Sequence, residues 1–239
     1  MRMPPIVVIS LAESEQRRSY MRRQLTARAL PFRFFDAERL LSYPKNYNRV
    51  ARLRNYANDL TLGECGGYDS HCQVWAEFIA SGEDVLCILE DDVDVLESFK
   101  DGVKFAMASS FPWGICRLGG DNGGGRRVVE SCGSGQVLVD YRKQPKGTYG
   151  YLIRRQAASV LLEFARSMEH PVDDMMNRYW EHGIRMAAIS EPVVGHRGDI
   201  HETTMPGRLK AKRNFLQKIR REFYMGRDSL CRNFYSYFR

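Results

Sequence analysis

Four carboxylates, Glu90, Asp91, Asp92 and Asp94, stand within five positions, directly after the apolar run Val85–Leu89. Anions this close repel one another unless something cationic sits among them. Their oxygens suit a hard divalent ion, Mg²⁺ or Mn²⁺, which can also hold a diphosphate. An acidic turn wetted by solvent is the plainer alternative. The run before them, with β-branched Val85 and Ile88, reads as a strand buried on both faces, as in the parallel sheet of an α/β domain. Ligands of such domains bind beyond the carboxyl ends of the strands, where these acids fall.

Other candidates gather at the same edge. Pro5–Leu11 reads as a first strand, and the spacing of Met21, Leu25 and Ala29 predicts a helix over Ser14–Leu30. Arg17 and Arg18, in its first turns, come at the carboxyl edge of the sheet, where phosphates are met. A solvated helix face is the alternative for either one. Phe32–Phe35, ending at Asp36, forms a second strand, parallel to the first through a right-handed crossover. Leu40–Asp59 lacks periodicity and reads as a long surface loop or short turns. Thr61 and Glu64 have capping-box spacing, so a helix starts near Leu62 and runs to about Ala80. Gly63, Gly66 and Gly67 each cost about 1 kcal/mol relative to Ala in that helix. Their presence implies close approach of a backbone or a ligand. Ser70 and His71 follow one turn later; for His71 a hydrogen-bonded structural histidine is the alternative.

The remaining elements are a helix over Glu97–Ser109, a strand over Gly114–Leu118 and a glycine-rich loop over Gly119–Arg127. That loop lacks the Lys-Ser/Thr ending of a P-loop and reads as a lid or acceptor-side loop. Strands over Val137–Tyr141 and Thr148–Ile153 suggest an antiparallel addition to the sheet. An amphipathic helix follows over Gln156–Met168. Pro171 opens another helix with Asp173 and Asp174 in its first turn, where acids also offset the helix dipole. Met186–Ile189 is the last strand expected, and Pro192–His201 returns His196 and His201 toward the sheet edge.

A chain of 239 residues buries one substantial core, with room for a small appendage. No apolar run approaches the roughly 18–20 residues that cross a bilayer, and the N-terminal apolar segment is too short for a signal peptide. A cytoplasmic location is the resulting expectation. The six cysteines form no CxxC and several lie in apolar runs, which points to a reducing compartment and away from zinc. Charge divides the chain in two. Residues 206–239 carry ten Lys and Arg against Glu222 and Asp228, a net of +8, so the other 205 residues sum to −1 of the total +7. We therefore separate a domain over 1–205 from a basic tail over 206–239. In the tail Leu209, Phe215, Leu216, Ile219 and Phe223 share one helical face, and Phe234, Tyr235, Tyr237 and Phe238 add an aromatic end. Such a segment docks on an anionic membrane surface or packs on the domain with a solvated basic face. The domain lacks a basic groove for nucleic acid.

The stretches VVISLAESEQRRSYMRRQL, FRFFDA, LTLGECGGYDSHCQVW, CILEDDVDVLESF, GTYGYLIRRQAASVLL and HPVDDMMNRYWEHGI, in this order, resemble glycosyltransferase family 25. Its members include the lipopolysaccharide and lipooligosaccharide galactosyltransferases of Gram-negative bacteria. The most specific are the LTLGECG…SH segment and the LEDD about 20 residues later. The family usually has Asn at the position of Ser10, and often Gly-Cys at Gly66-Gly67.

The resemblance implies a GT-A-like, Rossmann-type mixed sheet flanked by helices and a sugar-nucleotide donor, most often UDP-galactose. Glu90-Asp91-Asp92 resembles the DxD-type motif of metal-dependent transferases. By that analogy Asp92 is a direct ligand of Mn²⁺ or Mg²⁺, Glu90 a direct or water-mediated one, Asp91 a donor contact and His196 the completing ligand. Asp92-Val93-Asp94 offers a second register. Ser10, Arg17, Arg18, Ser70 and His71 fall on the donor side. Asp173, with Asp174 next, is the expected base of an inverting hexosyl transfer to a lipid-linked oligosaccharide at the inner membrane. A metal-dependent phosphohydrolase and a non-catalytic, membrane-docked glycan-binding protein are the competing readings.

Overall fold

The computed structural model describes residues 2–120, 123–131, 135–196 and 213–238. The elements are β1 (Ile6–Leu11), α1 (Glu15–Ala27), β2 (Arg33–Ala37), α2 (Arg49–Tyr56), α3 (Leu62–Ser81), β3 (Val85–Glu90), β4 (Val93–Val95) and α4 (Phe99–Ala108). They continue with β5 (Ile115–Arg117), β6 (Gly124–Ser131), β7 (Val137–Lys143), β8 (Gly150–Arg154), α5 (Arg155–Phe164), α6 (Val172–Met176) and α7 (Tyr179–His182). β9 (Met186–Ile189), β10 (Val194–His196) and α8 (Phe215–Tyr237) complete the described chain.

An eight-stranded sheet runs in the order β2-β1-β3-β8-β5-β9-β7-β6. β1, β2, β3, β5, β9 and β6 point one way, while β8 and β7 oppose them. β3 shows why its sequence is apolar throughout. Leu86 and Ile88 enter the core on one face with Trp75 and Tyr151, whereas Val85, Cys87 and Leu89 enter the other with Met21, Phe99 and Trp113. Each aliphatic side chain so buried contributes about 1.5–3 kcal/mol, which fixes β3 in mid-sheet and its acidic end at the edge.

Several expectations need correction. Leu40–Asp59 contains a helix, α2, capped by Asn48, whose Oδ1 accepts from Ala51 N at 3.1 Å. It shows no apolar stripe because its buried residues are Arg52 and Tyr56, stacked at 4.6 Å. The glycine-rich segment becomes strand β6 from Gly124 onward, while Asp121 and Asn122 lie outside the described residues. β7 and β8 are antiparallel to their neighbours as expected, and β8 takes a place the sequence did not specify, between β3 and β5. The acidic stretch continues into β4, which pairs with β10, a strand beyond the last one expected. His201 and tail residues 206–212 lie outside the described residues.

α8 packs on the domain through Asp228 and, near its end, through Tyr235 and Ser236 against Tyr179. Arg178 of the α6–α7 turn grips Asp228 with two hydrogen bonds of 2.8 and 3.0 Å, and Tyr56 Oη donates to the same carboxylate at 3.2 Å. The opposite face leaves Phe215, Ile219, Phe223, Leu230, Phe234 and Tyr237 exposed. The tail is thus both packed and amphipathic.

Candidate active site at the acidic strand end

At the carboxyl ends of β1, β2 and β3 lies a cavity of about 450 Å³, lined by Ser10, Arg17, Glu38, Leu40, Gly66, Gly67, Ser70, His71 and Glu90–Asp92 among others. The glycines of α3 shape its wall. A Cβ on Gly66 would meet the Glu38 carbonyl at 3.4 Å, and one on Gly67 would enter open space. The capping box sets the start of this helix: Thr61 Oγ1 accepts from Glu64 N at 3.1 Å, and Glu64 accepts from Thr61 N at 2.8 Å.

The acids are discharged one by one. Asp91, buried, accepts from Ser10 Oγ at 2.6 Å and from Arg17 at 2.9 Å, and the same guanidinium nitrogen reaches Asp92 at 3.2 Å. Asp94 accepts from Tyr20 Oη. Burial lifts the Glu90 carboxyl to about 8, with the charge of Asp92 adding to the rise and the hydrogen bond from Thr148 opposing it. The cation among the anions is therefore Arg17, and Glu90 carries a proton at neutral pH. Ser10 and Asp91 hold each other, and Asp94 turns to α1. Asp92 keeps a buried oxygen, Oδ1, without a hydrogen bond.

His71 forms the inner wall. It lies on the core-facing stripe of α3, and burial, with the charge of Arg117, takes its pKa down to about 3, so the imidazole is neutral. Trp75 Nε1 donates to Tyr151 Oη at 2.9 Å, and that hydroxyl lies 2.7 Å from His71 Nδ1. With its acceptor role filled by Trp75, Tyr151 donates to Nδ1, which assigns the remaining proton to Nε2. Nε2 points toward Glu90 at 4.0 Å.

Past Glu90 the surroundings change. No cavity-lining residue comes after Asp92; the β7–β8 connection and α6 take over on that side. Thr148 donates to Glu90, Gly147 N donates to Asp173 Oδ2 at 3.1 Å, and Asn177 Nδ2 donates to Pro145 O at 2.9 Å. Arg117, buried, donates to Gly147 O and to Asn177 Oδ1. Burial pulls its pKa down while Asp173 opposes the fall. Asp173 also raises the Glu90 pKa, so these groups share one field. Asp174 is exposed. Arg18 pairs with Asp36 and stacks on Phe34 at 4.6 Å, outside the cavity lining.

Residues 3–119 match the family model for glycosyltransferase family 25, described as an LPS biosynthesis protein. Over that segment, just under half of its length, the chain is similar to glycosyltransferase family 25. A similar protein is the lacto-N-neotetraose biosynthesis glycosyltransferase LgtB of Neisseria meningitidis, 28% identical over 193 residues. That match covers 71% of this chain and 65% of LgtB, just under two thirds of its length. Solved structures with partial likeness include a glycosyltransferase acting in glycosylation of the PBCV-1 major capsid, at TM-score 0.40 and 10% identity over 78% of this chain and 82% of that one. Another is the glycosyltransferase GlyE of Streptococcus pneumoniae, at TM-score 0.41 and 11% identity over 98% and 63%.

The residues of the site bear on the divalent ion that the resemblance implies. Glu90 and Asp92 offer hard oxygen donors, and the orphaned Asp92 Oδ1 lacks a partner that an ion would supply. Among the described residues no three His, Cys, Asp or Glu side chains cluster closely enough to hold a metal. His196 is exposed, pairs with Val93 in the β10–β4 ladder and sets its ring 5.0 Å from Tyr149. Glu90 and Asp92 thus fit as two protein ligands, a number that suits Mg²⁺ or Mn²⁺ completed by water and phosphate.

Sequence reasoning missed Arg117, Tyr151, Thr148 and Asn177. Arg117 carried a signal, as the one charged residue in the strand-like run GICRL. Thr148 and Asn177 carried none, because their roles depend on β8 entering mid-sheet.

Proposed function

We propose that this chain transfers a hexose, galactose from UDP-galactose best of all, to a saccharide acceptor in lipooligosaccharide or lipopolysaccharide biosynthesis, with inversion at the anomeric carbon. The observation that carries the reading is the cavity at the strand ends lined by Glu90 and Asp92, with the charge of Asp173 reaching Glu90 from outside its lining.

Bound at Glu90 and Asp92, Mn²⁺ or Mg²⁺ would supply Lewis-acid stabilisation of charge on the departing diphosphate, worth several kcal/mol. Arg17 holds Asp91 and Asp92 at the strand end and adds a fixed positive charge beside the cavity. The neutral His71 offers an Nε2–H donor without an added charge. Gly66 and Gly67 let the donor lie against helix α3. Asp173 serves as the base that takes the acceptor hydroxyl's proton. Gly147 N–H fixes its Oδ2, and Oδ1 makes no hydrogen bond among the described residues. Asp91 and Ser10 act as positioning residues.

The outward stripe of α8, flanked by Lys218, Arg220 and Arg227, fits an anionic membrane surface, where a lipid-linked acceptor is presented. No helix among the described residues is long and apolar enough to cross a membrane, so the proposed association is peripheral. UDP release from UDP-galactose with Mn²⁺ and lipooligosaccharide tests the reading. Turnover should fall at least about 100-fold in Asp92→Ala; unchanged turnover would overturn the metal assignment. A thermal-shift panel of UDP and GDP sugars should single out UDP-galactose, and stabilisation by another donor alone would replace it.

A further inference from the structure

Arg117 is a buried cation that the reaction described above leaves without a role. It ends β5, in register with Tyr151 of β8, which is itself in register with Ile88 of β3. Registered side chains share one face of a sheet, and Glu90 follows Ile88 by two residues, so Arg117 lies on the face that carries Glu90. Arg117 is 1% exposed, has no ion pair among the described residues, and keeps its Nε buried without a hydrogen bond. Burial opposes its charge; Asp173 leads the groups that favour it, ahead of Tyr151 and Glu90. A guanidinium withdrawn from water without a paired carboxylate is costly. A strut between two oxygen acceptors needs only a neutral donor, so packing alone does not account for this residue.

Its two hydrogen bonds reach the two segments that hold Asp173. One guanidinium nitrogen donates to Gly147 O and the other to Asn177 Oδ1 at 2.8 Å. Gly147 carries the contact onward, because its own N–H donates to Asp173 Oδ2 at 3.1 Å. Its backbone stands at φ +80°, and a Cβ there would lie 2.8 Å from the Tyr149 ring, so glycine is required at this turn. Asn177, the C-cap of α6, donates its N–H to the Asp173 carbonyl at 3.0 Å and its Nδ2 to Pro145 O at 2.9 Å. Arg117, residues 145–147 and α6 thus form a closed ring of hydrogen bonds around the backbone and one carboxylate oxygen of Asp173. Thr148, next along the chain, donates to Glu90.

We propose that Arg117 is a positioning residue for the transfer, its buried fork setting Asp173, through Gly147 and Asn177, to take the proton of the acceptor hydroxyl. In that step the acceptor oxygen bonds to the anomeric carbon and the bond to the diphosphate oxygen breaks, its electron pair leaving with UDP. The hydroxyl proton passes to Asp173. The inference rests on the reading of Asp173 as the base, and a double-mutant cycle separates the two.

The assay is UDP release from UDP-galactose with Mn²⁺ and lipooligosaccharide, in wild type, D173N, R117M and R117M/D173N, with calorimetry for the Kd of UDP. D173N should lower kcat at least about 100-fold, and R117M about 10- to 100-fold by misplacing the base. The Kd for UDP should stay within about twofold in all four proteins. In the D173N background R117M should change kcat by less than about twofold, because a residue that acts through Asp173 has nothing left to position. R117K keeps the charge but not the fork and should stay close to R117M. If R117M does not fold, Asn177→Ala, which removes one acceptor of the fork, completes the same cycle with the same expected loss of additivity. Losses that multiply in the double variant, or wild-type kcat in R117K, would overturn the positioning role while D173N remains slow. A wild-type kcat in D173N would instead sink Asp173 as base, and the role of Arg117 with it.

Discussion

The protonation of Glu90 can be tested through stability alone. Its carboxyl sits at about 8 in the folded chain against 4.5 when unfolded. Between those values the folded state holds a proton that the unfolded state lacks, so stability falls as pH rises. His71 and His170 act in the opposite sense. Burial holds both near 3 against 6.5 unfolded, so each makes stability rise with pH between those limits. Above pH 6.5 the histidine contribution fades and Glu90 comes to dominate. Net of that fading gain, the loss is about 1 kcal/mol between pH 6.5 and 8. This is an upper figure, because 29% of the Glu90 side chain is exposed. For a chain this long it lowers Tm by about 2–4 °C. Glu90→Gln keeps the shape and the Thr148 contact but removes the titration. Calorimetry in EDTA should show the metal-free wild type most stable near pH 6.5, with a decline toward about pH 8 that the Gln variant lacks. An equal decline in both proteins would refute a buried, protonated Glu90.

Three further outcomes are expected from the packing. Asp228→Ala removes two hydrogen bonds from the buried Arg178, which keeps its pairing with Glu181, and should cost about 1–3 kcal/mol, read as a lower Tm and as faster protease nicking within α8. Gly67→Leu should raise the Kd for UDP at least about tenfold by filling the cavity, whereas Gly67→Ala should gain up to about 1 kcal/mol of stability; calorimetry reads both. Tyr151→Phe leaves Trp75 Nε1 and His71 Nδ1 buried without their shared partner, a loss of about 1–3 kcal/mol for each group visible in urea unfolding.

What the sequence made legible was the local part of the site. β3 declared itself because both of its faces are buried, and the capping box of α3 was readable because its two residues stand three apart. Pairing between distant segments was not readable. β8 lies mid-sheet only because Leu86 and Ile115 both pair with Ile153, and that insertion carries Thr148 to Glu90. α2 stayed hidden because an arginine and a tyrosine, rather than an aliphatic stripe, fill its buried face. The acidic cluster was visible, but its neutralisation was not: Arg17 looked like one of five similar helix arginines, and only its register toward Asp91 separates it from Arg18. In the tail, Asp228 reads as a stray acid among ten basic residues until Arg178 is placed beneath it.

Whether a nucleotide and a divalent ion meet at the end of β3 is decided by crystals soaked with UDP and Mn²⁺. Anomalous density for manganese is expected at Asp92 and Glu90, with the diphosphate between that ion and Arg17. Manganese and UDP bound together away from residues 90–92 would rule out that meeting point.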